Sequence, residues 1–141
     1  MRIIGLDLGE KRIGVAAADG RTQVAVPLTA LAAGNDPIGA IAKLLDEQRA
    51  DGVVIGLPLS MTGAIGPQAQ QTLEMVHELQ GRLSIPVDTW DERLTTVQAS
   101  RSQQPRRPSG RRSQSEKGRR DAIAAAIMLQ AFLDSRRSAE R

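Results

Sequence analysis

A chain of 141 residues with 40% apolar side chains is long enough for a single domain, spanning 1–141, with its own core. The absence of cysteine excludes disulfides and a thiolate nucleophile, and His77, the only histidine, leaves almost no ligands for a structural zinc. The net charge of +3 hides an asymmetry: residues 1–92 carry 7 basic and 12 acidic side chains, whereas 93–120 carry 9 basic side chains and only Glu116 as an acid. A basic segment on an acidic body points to a polyanionic partner, and 16 arginines among the 19 basic residues favour bidentate phosphate contacts. Trp90 and Phe132 are the only aromatics, so backbone charge rather than base stacking would dominate any contact with nucleic acid. The first strand begins at Met1 without a basic n-region or cleavage site, and no apolar run approaches the roughly 20 residues of a membrane span. A soluble, cytoplasmic protein with no membrane partner is the expectation.

In chain order, Ile3 to Leu8 is apolar on both faces except at Asp7, and Arg12 to Ala17 resumes after the turn Gly9-Glu10-Lys11. This predicts a β-hairpin whose first strand is buried on both sides. Thr22 to Leu28 predicts a third strand, which Pro27 places at a sheet edge because it has no N–H for the ladder. Asn35-Asp36-Pro37 starts a helix, with Ile38, Ile41, Leu44 and Leu45 at helical spacing as far as about Arg49. Gly52 to Leu57 reads as a short buried strand closed by Pro58. After the loop 59–66, Pro67 opens a helix with the stripe Ala69, Leu73, Val76 and Leu79, ending at Gly81. His77 reads as a surface or boundary residue of that helix. Ile85 to Trp90 is the last strand and leads straight into Asp91-Glu92-Arg93; Thr95 or Thr96 then caps a short helix through about Arg101. Residues 102–116 contain no aliphatic or aromatic side chain and read as a flexible loop. The final helix runs from about Lys117 to Arg136 and is apolar on most faces.

The order β-β-β-α-β-α-β-α-α implies an α/β domain. Its five-stranded mixed sheet has three antiparallel strands plus two parallel ones, flanked by helices on both faces. Right-handed crossovers would set the fourth strand parallel to the first and beside it. Ligands of open α/β sheets sit off the carboxyl ends of strands at such switch points. Asp7 near the end of the first strand, Glu92 after the last, and Asp121 in the first turn of the final helix are therefore expected to converge on one sheet edge. Each has a plainer reading. Asp7 would pair with Lys11 or Arg12, Glu92 would bridge Arg93 or cap the following helix, and Asp121 would complement a helix dipole or pair with Arg119 and Arg120. Converging carboxylates instead bind hard cations such as Mg2+ or Mn2+. Two such ions activate a water and stabilise the leaving oxygen of a phosphodiester, a chemistry that needs no histidine or thiol.

Four stretches, in order, carry a family resemblance. They are Asp7-Leu8-Gly9-Glu10-Lys11-Arg12-Ile13-Gly14-Val15-Ala16; Val54-Ile55-Gly56-Leu57-Pro58 with Gly63 and Gly66-Pro67-Gln68-Ala69; Asp91-Glu92-Arg93-Leu94-Thr95-Thr96-Val97-Gln98-Ala99; and Asp121-Ala122-Ile123-Ala124-Ala125-Ala126-Ile127-Met128-Leu129-Gln130. Together they resemble the YqgF (RuvX) family of the ribonuclease H-like superfamily over nearly the whole chain. The resemblance implies that Asp7, Glu92 and Asp121 are the acidic catalytic residues and bind Mg2+ or Mn2+. It also implies either nucleolytic maturation of the 5′ end of pre-16S ribosomal RNA, in ribosome biogenesis, or Holliday junction resolution, in DNA recombination. Lys11, Arg12, Arg93, Arg106, Arg107, Arg111, Arg112, Lys117, Arg119 and Arg120 are expected to hold the phosphates of structured RNA or branched DNA. The chain departs from the family pattern at Arg120, usually apolar, and at Ala18, commonly serine. A resolvase cutting two strands symmetrically would be a homodimer. The alternatives are a non-catalytic nucleic-acid-binding module on the same fold, or an actin/hexokinase-type ATPase lobe, which would need a second such domain.

Overall fold

The doubly apolar first strand takes the place that covers both its faces, the centre of a five-stranded sheet. The computed structural model describes residues 1–95 and 114–139. Its strands are β1 (Arg2–Leu8), β2 (Arg12–Asp19), β3 (Ala25–Ala32), β4 (Gly52–Leu57) and β5 (Val87–Asp91), in the spatial order β3-β2-β1-β4-β5. β1, β2 and β3 pair antiparallel, while β4 lies parallel to β1 and β5 parallel to β4. The sheet is thus the mixed one expected, with the fourth strand beside the first.

Side-chain alternation splits the core in two. Ile4, Leu6, Ile13, Val15, Val53 and Ile55 point to one face, where α1 (Pro37–Glu47) and α2 (Pro67–Arg82) cover them with Ile41, Leu45, Val76 and Leu79. Ala16, Ala18 and Val54 point to the other face and meet Ala125, Leu129, Phe132 and Leu133 of α3 (Gln114–Ala139). Helices therefore cover both faces. Among the described residues no helix is long and apolar enough to cross a membrane.

Several predicted boundaries shift for local reasons. β3 begins at Ala25 rather than Thr22 and continues to Ala32. The intervening residues form the turn, with Gln23 at φ 58 and its N–H donating to the Asp19 carbonyl at 3.0 Å. Pro27 does lie on the edge strand, opposite Ala16 and beside the register shift between Val15 and Ala16. Asp36 caps α1 by accepting from the Gly39 N–H at 2.9 Å, and the helix stops at Glu47, before Arg49 turns to φ 53. In α2 Ala69, Val76 and Leu79 are buried as expected, but Thr72 joins them where Leu73 was expected, and its hydroxyl avoids an unsatisfied burial by donating to the Gln68 carbonyl at 3.1 Å. Gly81 keeps a negative φ and does not end α2, which runs on to Arg82. His77 is exposed, as expected. β5 starts at Val87 instead of Ile85. α3 begins at Gln114, so the last residues of the predicted 102–116 loop are helical, and it continues to Ala139. Residues 93–95 are helical, with the Thr95 hydroxyl donating to the Glu92 carbonyl at 3.2 Å instead of capping a helix; the rest of the predicted short helix through Arg101 falls outside the described residues, as does the rest of that loop up to residue 113.

Candidate active site

Residues alternating with Ile4 and Leu6 face α3, which puts Asp7 on the α3 side near the carboxyl end of β1. Its neighbours in the sheet on that face are both glycines. Gly14 of β2 is its register partner, and Gly56 of β4 follows Ile55, the partner of Leu6. A Cβ at Gly14 would collide with the backbone carbonyl of Asp121, so the missing side chain lets α3 lie directly on β2. A Cβ at Gly56 would collide with the Glu92 carboxylate and stand 3.0 Å from its Cγ, so this missing side chain makes room for Glu92. Glu92 is anchored there by its own N–H, which donates to the Leu57 carbonyl at 3.1 Å. Two glycines flanking Asp7 thus admit one acid from each side.

Asp7 and Glu92 hydrogen-bond to each other through their carboxyl groups. Burial pushes the Asp7 carboxyl above the usual range; the bond from Glu92 opposes this and the Asp121 charge adds to it. Glu92 is pushed up to about 8, first by burial and then by the Asp7 charge and hydrogen bond, with a further contribution from Asp91. A hydrogen bond between two carboxyl groups needs a proton on one of them, and both groups are raised, as for close carboxylates that resist ionising together. Asp121 is stabilised differently: Arg12 Nε donates to its Oδ2 at 2.6 Å, with the two side chains 28% and 31% exposed. Arg93 folds back on Asp91, with Nη2 to Oδ2 at 2.6 Å and Nε to Oδ2 at 2.9 Å. This pair lowers the Asp91 carboxyl and raises the Arg93 guanidinium.

The plainer pairings expected for the acids are thus largely replaced. Asp7 meets Glu92 rather than Lys11 or Arg12, and Asp121 meets Arg12 rather than Arg119 or Arg120. Asp121 also lies about two turns into α3, not in its first turn, which removes it from the exposed N–H groups of the helix end. Lys11, Lys117, Arg119 and Arg120 are exposed around this edge, and Arg12 and Arg93 are partly buried in the pairs above. Arg106, Arg107, Arg111 and Arg112 lie outside the described residues. Among the described residues no three acids, histidines or cysteines are already gathered for a cation. The donor set nonetheless suits a hard divalent cation: every donor is a carboxylate oxygen, and the Asp7–Glu92 pair holds a proton that a cation would displace. Gly14 and Gly56 were not singled out as site residues from sequence. Their signal was a glycine interrupting each of two otherwise β-forming runs, a mark of close approach.

The family model described as "RuvX: Holliday junction resolvase" matches residues 1–135. A protein of Chloroflexus aurantiacus named "Putative pre-16S rRNA nuclease" is 44% identical over 139 residues, covering 96% of this chain and 88% of that protein. One of the same name from Thermoanaerobacter pseudethanolicus is 37% identical over 140 residues, covering 98% and 99%. Among solved structures, Thermus thermophilus RuvC superposes with a TM-score of 0.54 at 14% identity, covering 98% of this chain and 97% of that one, a likeness of fold. The sheet order and covering helices described above are those of a ribonuclease H-like domain, and on these matches the chain belongs to the RuvX family.

Proposed function

We propose that the protein is a divalent-metal-dependent nuclease that hydrolyses phosphodiester bonds in structured nucleic acid, with Asp7, Glu92 and Asp121 as its catalytic acids. The observation that carries this reading is the Asp7–Glu92 pair, two hydrogen-bonded carboxylates sharing a proton, with Asp121 close enough for its charge to act on Asp7. Mg2+ or Mn2+ held by these three residues would supply Lewis-acid activation of water and of the scissile phosphate. Asp7 lies between Gly14 and Gly56 on the central strand, Glu92 meets it from the end of β5, and Asp121 would turn towards it from α3. A cation there would compensate the charge of ionised carboxylates. Exposed Lys11, Lys117, Arg119 and Arg120 hold phosphates by charge rather than by base readout, as suits a chain with two aromatics.

Two substrates fit this chemistry: the 5′ region of pre-16S ribosomal RNA, supported by the names of the curated relatives, and a four-way DNA junction, supported by the description of the family model. Such a nuclease works in the cytoplasm, and symmetrical junction cleavage would require a homodimer. The deciding experiment offers purified protein both substrates, with Mn2+ and with chelator, beside the Asp7→Asn variant. Metal-dependent cutting that is lost by at least about a hundredfold in Asp7→Asn is expected. Cleavage at the normal rate by Asp7→Asn would overturn the mechanism, and binding without cutting would make the protein a non-catalytic module.

A further inference from the structure

Among the described residues, two large cavities beside the first hairpin differ in charge. One, about 460 Å³, is bordered by Glu10, Glu74 and Glu78 and would repel a polyanion. The other, a groove of about 740 Å³ between the edge strand β3 and α3, has no acidic residue among the described residues of its wall. Thr29 and Ala30 form one side, Gly118 and Arg119 the other, and Arg12 closes the end nearest the acids. Gly118 gives the groove its narrow floor, since a Cβ there would already be 3.4 Å from the Ala30 methyl group.

Arg12 belongs to two structures at once. It lines the groove, and its Nε holds Asp121 at 2.6 Å. A guanidinium has five N–H donors in a planar fork suited to phosphate as well as carboxylate. Bound to Asp121, it neutralises a carboxylate on which the cation site depends. A phosphate in the groove would compete for the same fork, and the carboxylate released would be free to turn to a metal beside Asp7 and Glu92. Resting on the nuclease reading above, we propose that the β3–α3 groove takes the phosphodiester backbone of the substrate and that Arg12 couples its occupancy to the freeing of Asp121 for a divalent cation. Arg12 is on this account a positioning residue. Its effect is a coupling between two binding events, and such a coupling is reciprocal.

The test measures binding and does not depend on turnover. Mn2+ is titrated calorimetrically into the full chain, and a short fluorescein-labelled oligothymidylate is followed by anisotropy with and without Mn2+. In the wild type, Mn2+ is expected to tighten oligonucleotide binding about tenfold, within the usual range of such couplings. Arg12→Gln is expected to bind Mn2+ about tenfold tighter without oligonucleotide, while its coupling factor falls at least fivefold. Arg12→Lys, which keeps the charge without the fork, should lie between the two and preserves the test if the glutamine variant does not fold. Arg119→Gln should weaken oligonucleotide binding and leave Mn2+ affinity as it was. An unchanged coupling factor in Arg12→Gln, or no coupling in the wild type, would overturn the inference while leaving the metal site standing. No Mn2+ binding by the wild type would overturn the metal reading, and this inference with it.

Discussion

Towards α1 and α2 the sheet presents Ile4, Leu6, Ile13, Val15, Val53 and Ile55; towards α3 it presents Gly5, Gly14, Ala16, Ala18 and Gly56 around Asp7. The first face buries a wholly apolar cluster of large branched side chains, each contributing about 1.5–3 kcal/mol. The second gives up that area. A Cβ at Gly5 would stand 2.9 Å from the Leu129 Cβ, so α3 lies close against the strands, and the space left at Gly56 beside Asp7 receives the Glu92 carboxylate. One face therefore stabilises the sheet and the other uses that stability to hold two acids together, an arrangement that opposes folding.

Substitutions on the two faces should separate these roles. The largest effect on stability belongs to the first face: Leu6→Ala, at a position with no exposed surface, is expected to cost about 2–5 kcal/mol in urea unfolding while cleavage per folded molecule holds. A loss of activity disproportionate to the unfolded fraction would mean that the division between faces is false. On the α3 face, Gly14→Ala should cost about 1–3 kcal/mol and impair metal binding, because its Cβ meets a backbone carbonyl of Asp121 that only a shift of α3 can move. Gly56→Ala meets a side chain instead. It should cost less than about 1 kcal/mol, with Glu92 swinging aside, yet weaken Mn2+ binding comparably. Equal stability losses for the two glycines would contradict this contrast.

The α3 face should also give a pH dependence of opposite sense to that of ordinary ion-paired carboxylates. Glu92 rises from 4.5 to about 8 on folding, so between these values the folded state holds more protons than the unfolded one. Stability is then greatest below about pH 4.5 and is lost as the pH rises through 8. Solvent screening of these half-exposed groups reduces the effect to about 1 kcal/mol. Asp91, lowered by Arg93, acts in the other sense but only below its ordinary value of 3.8, outside this window. Unfolding midpoints in chelator at pH 5, 6.5 and 8 should therefore fall, Asp7→Asn should flatten the trend, and Mn2+ should restore most at pH 8. A rise in stability across this range would show that the two acids do not share a proton.

Much of this was legible in the chain itself. Doubly apolar Ile3 to Leu8 could only be a central strand, Pro27 could only lie on an edge, Asp36-Pro37 and Pro67 opened helices where expected, and Asp7 stood out as the charge such a strand cannot bury unpaired. These are local properties, set by alternation, a missing N–H or a capping side chain. Three things waited for the tertiary structure. The start of α3 at Gln114 could not be read from the chain, because residues 114–116 carry no apolar pattern of their own. The choice of Arg12 over Arg119 and Arg120 as the partner of Asp121 depended on how closely α3 approaches β2, which a glycine 107 residues earlier permits. The pairing of Glu92 with Asp7 depended on the register of β4 beside β1, which brings Gly56 level with the acid. Strand by strand, the sequence determined which residues are buried and that Asp7 needs company. Only the assembled sheet decided which charges keep it, because contacts across register and between layers are properties of neither partner alone.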